Sequence, residues 1–308
     1  MKPAIMGALA IIVASSLWGI DQVVIRPNLF HIENVAVIVF IEHILAFALM
    51  GFVCLHGIKE VKKLNRKDWA SFFWVSLFGG AIGTMAIVQA LILVQFHQLS
   101  IVALLQKLQP VFAIIAAIFL LKEMPKRIFY FWAALALAGS YFVTFGFEKP
   151  VFAGNDVFLS ALFAILAAFA FGSSTSFGKY ALRKVSYKTG AYIRFGMTSV
   201  IMFLVILLTG SFSFFGKVAM QDIGFFLIIV FTSGAVAMFI YYYGLKRVMA
   251  SQSTIYELAY PATAILLDFV INGKVLSAGQ WLGTAILIFS IYKIAGLGQE
   301  KKEGRGKT

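Results

Sequence analysis

Ten apolar stretches of helix length follow one another with little polar sequence between them. They cover roughly 4–25, 34–56, 69–94, 99–121, 128–147, 157–178, 189–209, 223–244, 250–271 and 277–297. A helix needs about 20 residues to cross a bilayer at about 1.5 Å per residue, and its backbone groups must be satisfied within the segment. The pattern predicts an all-α integral membrane protein with ten transmembrane helices. Charge content agrees. Only 13% of the 308 residues are charged and the mean hydropathy is +0.92, whereas a soluble domain carries about 25% charge. The run that opens the chain is too long for the core of a signal peptide and lacks a small-residue cleavage site, so a retained first helix is expected.

The distribution of Lys and Arg supports the count of ten. Arg26, Lys149, Lys217 and Lys274 fall on one side of the alternation, Lys107 lies inside a segment, and the rest fall on the other side. The positive-inside bias then puts both termini in the cytoplasm, and the cell's inner membrane is the expected location. The net charge of +13 is accounted for by these loops, so no nucleic-acid partner is expected. Cys54 is the single cysteine, which rules out an intramolecular disulfide.

Two segments carry polar residues where lipid penalises them. Leu104–Glu123 contains Gln106, Lys107, Gln109 and Pro110. A weak copy, Ile255–Lys274, contains Glu257 and Pro261. Pro110 and Pro261 lie about 150 positions apart, as do Gln106 and Glu257. Trp18-Gly19 and Phe171-Gly172, Arg26 and Lys179, and Gly80 and Gly234 keep nearly the same offset. Five helices per copy is an odd number, so the second copy begins on the opposite side. The expected fold is therefore two inverted five-helix repeats, residues 1–149 and 150–298, followed by a charged tail, 299–308.

Intramembrane charge and broken helices mark function by default. Lys107 either binds a carboxylate or phosphate of a substrate, pairs permanently with Glu257, Glu42 or Asp21, or snorkels to an interface. Glu257 either binds an ammonium or proton, or pairs with Lys107. Pro110 and Pro261 interrupt the hydrogen-bond ladder and free carbonyls near Gln106 and Glu257, or else make static kinks. Tyr256 and Tyr260 flank Glu257, and Trp18 lies in the first helix; rings of this kind suit a flat or cationic ligand or simply face lipid. Asp21 is a gate or an interfacial carboxylate in water. Glu42 and His43 are a proton relay or a buried polar pair. Arg194 is expected near the opposite surface from Glu42. Gly79 and Gly83, and Gly279 and Gly283, have the spacing that lets helices approach closely.

No Walker motif, His-Glu-x-x-His or Gly-x-Ser-x-Gly is present, and His31, His43, His56 and His97 are scattered. No catalytic residue, cofactor or metal site is therefore expected.

The five-plus-five arrangement, Leu17-Trp18-Gly19, Gln109-Pro110 leading to Lys122-Glu123, Ala138-Gly139, and Tyr242-Tyr243-Gly244-Leu245 leading to Pro261 resemble the EamA family of the drug/metabolite transporter superfamily. Arg194 stands where that family usually has an arginine. Glu42 and Lys274 depart from its pattern. The resemblance implies a carrier for small organic solutes, uncoupled or ion-coupled, with a cavity lined by helices one, three, four, six, eight and nine. Opposite charges between two repeats point to a zwitterionic metabolite of amino-acid type, such as S-adenosylmethionine. Lys107 would hold the carboxylate, and Glu257 the ammonium or sulfonium. An anionic solute such as a nucleotide sugar is the alternative within transport; a membrane enzyme or assembly partner is the alternative outside it. The expected partners are the solute, the lipid bilayer and a coupling ion or counter-substrate, in a monomer or homodimer.

Overall fold

The computed structural model describes residues 3–54, 57–93, 99–149, 157–273 and 275–303. Regular structure among them is helical throughout. The helices are α1 Pro3–Ile20, α2 Val35–Cys54, α3 Ile58–Val61, α4 Arg66–Trp74, α5 Gly83–Leu93, α6 Leu99–Gln106, α7 Gln109–Leu121 and α8 Arg127–Phe145. The second half gives α9 Val157–Ala181, α10 Tyr187–Thr209, α11 Met220–Ile229, α12 Ala235–Leu245, α13 Ala250–Tyr256, α14 Ala259–Asn272 and α15 Ala278–Glu303. Among the described residues nine helices are long and apolar enough to cross a membrane. In the tenth expected segment, α2, the apolar run Val35–Gly51 falls short of that length. Large apolar side chains such as Phe119, Phe158 and Leu208 lie on the outside of the bundle, as befits a surface solvated by lipid. The chain is a multi-pass membrane protein.

Three helices contain π-helical turns: Asp21–Ile25 after α1, Val75–Ile82 between α4 and α5, and Val230–Gly234 between α11 and α12. A π-turn inserts one extra residue and offsets the hydrogen-bond ladder. The last two turns stand at equivalent points of the two halves.

Two further helices are broken outright. α6 stops at Gln106 and α7 begins at Gln109; α13 stops at Tyr256 and α14 begins at Ala259. The breaks fall at Lys107-Leu108 and Glu257-Leu258, just before the prolines. Pro110 and Pro261 thus sit in the first turn of the following helix. A missing N–H costs nothing there, because that group has no intrahelical acceptor. The prolines restart helices instead of kinking them. α7 ends on Leu121 and α14 on Asn272, each followed by a residue in the left-handed region, Lys122 at φ 55° and Gly273 at φ 66°.

Packing comes in matched pairs. α1 lies against α12 and α14, and α9 lies against α5 and α7; α2 packs on α10, and α8 on α15. Exchanging residues about 150 positions apart maps the α1 pairings onto those of α9, and maps α2–α10 and α8–α15 onto themselves. Two glycines permit the closest approaches at the breaks. A Cβ on Gly19 would stand 2.9 Å from the Tyr260 carbonyl, and one on Gly172 would stand 2.5 Å from the Gln109 carbonyl. Helix α1 is therefore pressed against the second break and α9 against the first. The α8–α15 contact is equally tight, with a Gly283 Cβ falling 2.5 Å from the Val143 amide nitrogen.

Candidate substrate site

The second break gathers polar side chains from both halves. The Glu257 carboxylate accepts a hydrogen bond from the Gln109 amide at 3.0 Å, from the Tyr241 hydroxyl at 2.8 Å and from the Ser253 hydroxyl at 3.1 Å. Tyr241 also lies 3.2 Å from the Thr175 hydroxyl. A carboxylate in lipid is tolerated when donors replace its water, and charge-assisted bonds of this length are the strong ones. The cluster draws on α7, α9, α12 and α13.

Trp18 forms the wall of this cluster. Its indole N–H donates to the Ser233 carbonyl at 2.9 Å, and its ring lies 5.3 Å from that of Tyr241. Ser233 belongs to the π-turn of α11–α12, so the indole answers a carbonyl in an offset part of the ladder. The indole bond fixes the ring and leaves one polar group fewer to satisfy.

The first break is chemically different. Lys107 donates to the Ser140 hydroxyl of α8 at 2.9 Å. Lys107 and Glu257 thus face different partners and do not form the permanent pair that was one expectation. Gln106 ends α6, and it is Gln109, three residues on, that reaches Glu257. Tyr256 is 1% exposed and belongs to the core. Tyr260 is half-buried, with its backbone carbonyl against Gly19.

A second polar cluster lies at the end of α1. Asp21 is 5% exposed and accepts from the Arg26 side chain, Nε at 3.0 Å and Nη2 at 2.7 Å. The same guanidinium lies 3.0 Å from Glu42 of α2. Asp21 is buried, so the expectation of a carboxylate in water is not met. Glu42 and His43 do not pair with each other either. The His43 ring bonds the Val39 carbonyl at 2.8 Å and lies 5.2 Å from the Phe195 ring. Arg194, expected near a surface, instead reaches the Gly79 carbonyl at 3.3 Å and the Met238 sulfur at 3.2 Å. Gly79 lies midway along the span Arg66–Ala90, so the guanidinium stands at mid-depth.

At the end of the bundle that carries most basic residues, Glu123 accepts from the Ala250 and Ser251 amides at 2.8 and 3.0 Å and from the Ser251 hydroxyl at 2.7 Å. A carboxylate there satisfies the free amides that begin α13. Lys179 donates to the Leu245 carbonyl at 2.6 Å and to the Val248 carbonyl. The end of α7 and the end of α9 are thereby tied to the segment joining α12 to α13.

Gln109, Ser253 and Arg26 are not among the site residues expected from the sequence, and Tyr241 is there only one of several rings suited to a flat or cationic ligand. Gln109 carried a signal, an amide next to a proline inside an apolar run. Arg26 looked like a loop charge, and Tyr241 like one of three consecutive tyrosines.

A lipid-solvated helical bundle with two broken helices, and with polar groups from both halves collected at a break, defines a membrane carrier for a small solute. The family can be stated. The chain belongs to the EamA-like transporter family, which it matches over residues 5–145 and 158–296. It is 44% identical to a protein of Fusobacterium nucleatum subsp. nucleatum called riboflavin transporter ImpX, over 96% of this chain and all of that one. It is 26% identical to the uncharacterized transporter YwfM of Bacillus subtilis, over 83% of this chain and 85% of that one. A solved crystal structure superposes with a TM-score of 0.71 at 16% identity, covering 97% of this chain and 98% of the other, which speaks for the fold.

Proposed function

We propose that this transporter carries a flavin of riboflavin type, and that the Glu257 break is where it binds. The observation that carries the reading is the Glu257–Gln109–Tyr241 cluster walled by Trp18, in a chain 44% identical along its length to a protein named a riboflavin transporter. Riboflavin is a flat, neutral tricycle with an imide edge and a polyhydroxylated side chain. An imide presents one N–H donor between two carbonyl acceptors. Glu257 supplies an acceptor for the imide N–H, Gln109 carries a second amide N–H that can donate, and Trp18 and Tyr241 supply ring faces for stacking. A site whose polar groups are answered by the ligand rejects molecules that leave them unpaired.

A neutral flavin makes no demand on Lys107, whose ammonium is directed to Ser140. The zwitterion reading needs one ligand to touch both Lys107 and Glu257, and the two side chains have different partners. Movement would proceed by alternating access, with the two halves acting as inverted repeats around the breaks. The matched helix pairings, the paired breaks and the paired glycine contacts support that arrangement.

The test is uptake of labelled riboflavin into liposomes containing the purified protein. Unlabelled riboflavin, S-adenosylmethionine, neutral amino acids and a nucleotide sugar serve as competitors. Saturable uptake displaced by riboflavin alone is expected. Displacement by S-adenosylmethionine or an amino acid would return the zwitterion reading, and displacement by the nucleotide sugar would return the anionic one.

A further inference from the structure

Asp21, Arg26 and Glu42 form a group that the flavin reading does not use. Two carboxylates share one guanidinium, which stays protonated at any physiological pH. With both acids ionised the group carries one net negative charge. Asp21 and Glu42 are 5% and 9% exposed, and Asp21 lies within the candidate span Pro3–Leu29. The Arg26 contacts at 2.7 and 3.0 Å all fall on Oδ2 of Asp21, which leaves Oδ1 buried without a partner. A buried acceptor with no donor is costly, and so is an unbalanced charge in lipid. One proton on the group cancels the net charge and turns one carboxylate oxygen into a hydroxyl donor.

The backbone builds this arrangement deliberately. Residues five apart are not neighbours on an α-helix, but the π-turn Asp21–Ile25 closes through the Arg26 amide onto the Asp21 carbonyl and brings Arg26 beside Asp21. The other charged or titratable groups acting on this region are Tyr260 from α14, His43 from α2 and Arg194 from α10. Asp21 is also three residues beyond Trp18 and two beyond Gly19, which touch the flavin cluster and the second break. A change of charge here bears on the helix that walls the substrate site.

We propose that Asp21 and Glu42, bridged by Arg26, form a proton-binding site that couples solute movement to a proton gradient. A carboxylate oxygen takes a proton from water on one side and returns it to water on the other after the halves rock. A metal cation is a poor occupant, because the guanidinium already stands between the two acids. The inference rests on the transporter reading but not on the identity of the solute.

Two measurements test it together. Infrared difference spectra of the purified protein across a pH titration report protonated carboxyl groups without any substrate. Wild type is expected to show a titrating carboxyl band that is lost in Asp21→Asn or Glu42→Gln; an identical band in all three proteins would overturn the proposal. In liposomes, riboflavin accumulation driven by an imposed pH gradient should be lost in Glu42→Gln, while riboflavin counterflow without a gradient persists. Accumulation driven by sodium instead, or by a proton gradient in the variant as well, would also overturn it. If wild type moves no riboflavin at all, the substrate reading fails, and the infrared result alone decides the proton site.

Discussion

The two helix breaks share a backbone and differ in chemistry. Each falls two to four residues before a proline, each is pressed by a glycine from the first helix of the opposite half, and each begins with a charged residue. At the second break the charge of Glu257 is met by three donors from three elements. At the first, Lys107 has the Ser140 hydroxyl. The backbone of an interrupted helix is common to both breaks, but the residues placed in the interruption decide what it holds. One break holds a hydrogen-bonded carboxylate, the proposed recognition site, and the other a lysine bonded to α8. The first break still serves the second, because Gln109, just beyond it, is a donor to Glu257.

This contrast is open to direct attack. The largest effect is expected for Glu257→Ala, which removes the acceptor and strands three donors. Charge-assisted hydrogen bonds contribute about 1.5–3 kcal/mol, so riboflavin binding should weaken by about tenfold to a hundredfold, as read by titration of the purified protein. Gly172→Ala comes next. Its Cβ would fall 2.5 Å from the Gln109 carbonyl, and crowding of this kind costs about 1–3 kcal/mol. A lower melting temperature than wild type is expected, with Gly19→Ala less affected because its nearest approach is 2.9 Å. Equal losses in the two would mean that the breaks are packed alike. Tyr241→Phe keeps the ring beside Trp18 and deletes one donor. A modest rise in riboflavin Kd at unchanged stability is the expected result. The smallest effect on transport is expected for Lys107→Met. A lysine at the centre of a membrane helix costs about 2.5–3.5 kcal/mol on insertion scales. Its removal should leave riboflavin uptake near wild type and raise the melting temperature.

Much of this architecture was legible in the chain. Apolar run length predicted the helices, and the recurrence of Pro110 and Pro261 pointed to the interruptions. The exact breaks were not legible, because a proline constrains the turn before it without saying whether a helix kinks there or restarts. Glu257 and Trp18 stood out as polar or aromatic groups in apolar runs, and the structure brings them to the two sides of Tyr241. Arg26 was missed for a geometric reason. α-Helical spacing turns residues five apart to different faces, and only the π-turn reunites it with Asp21. Arg194 was misplaced in depth because a long side chain carries its charge well away from its Cα. Glu123 was visible as part of a motif, but its bond to the start of α13 joins elements 127 positions apart, and no local pattern reports that. Lys274, where the sequence departs from the family pattern, lies outside the described residues.

Equilibrium binding of riboflavin to the purified wild type, Lys107→Met and Glu257→Gln addresses the central claim most directly. The account predicts that wild type and Lys107→Met bind riboflavin alike and that Glu257→Gln binds it markedly more weakly. Loss of binding in Lys107→Met with Glu257→Gln unaffected, or no riboflavin binding by wild type, would contradict it.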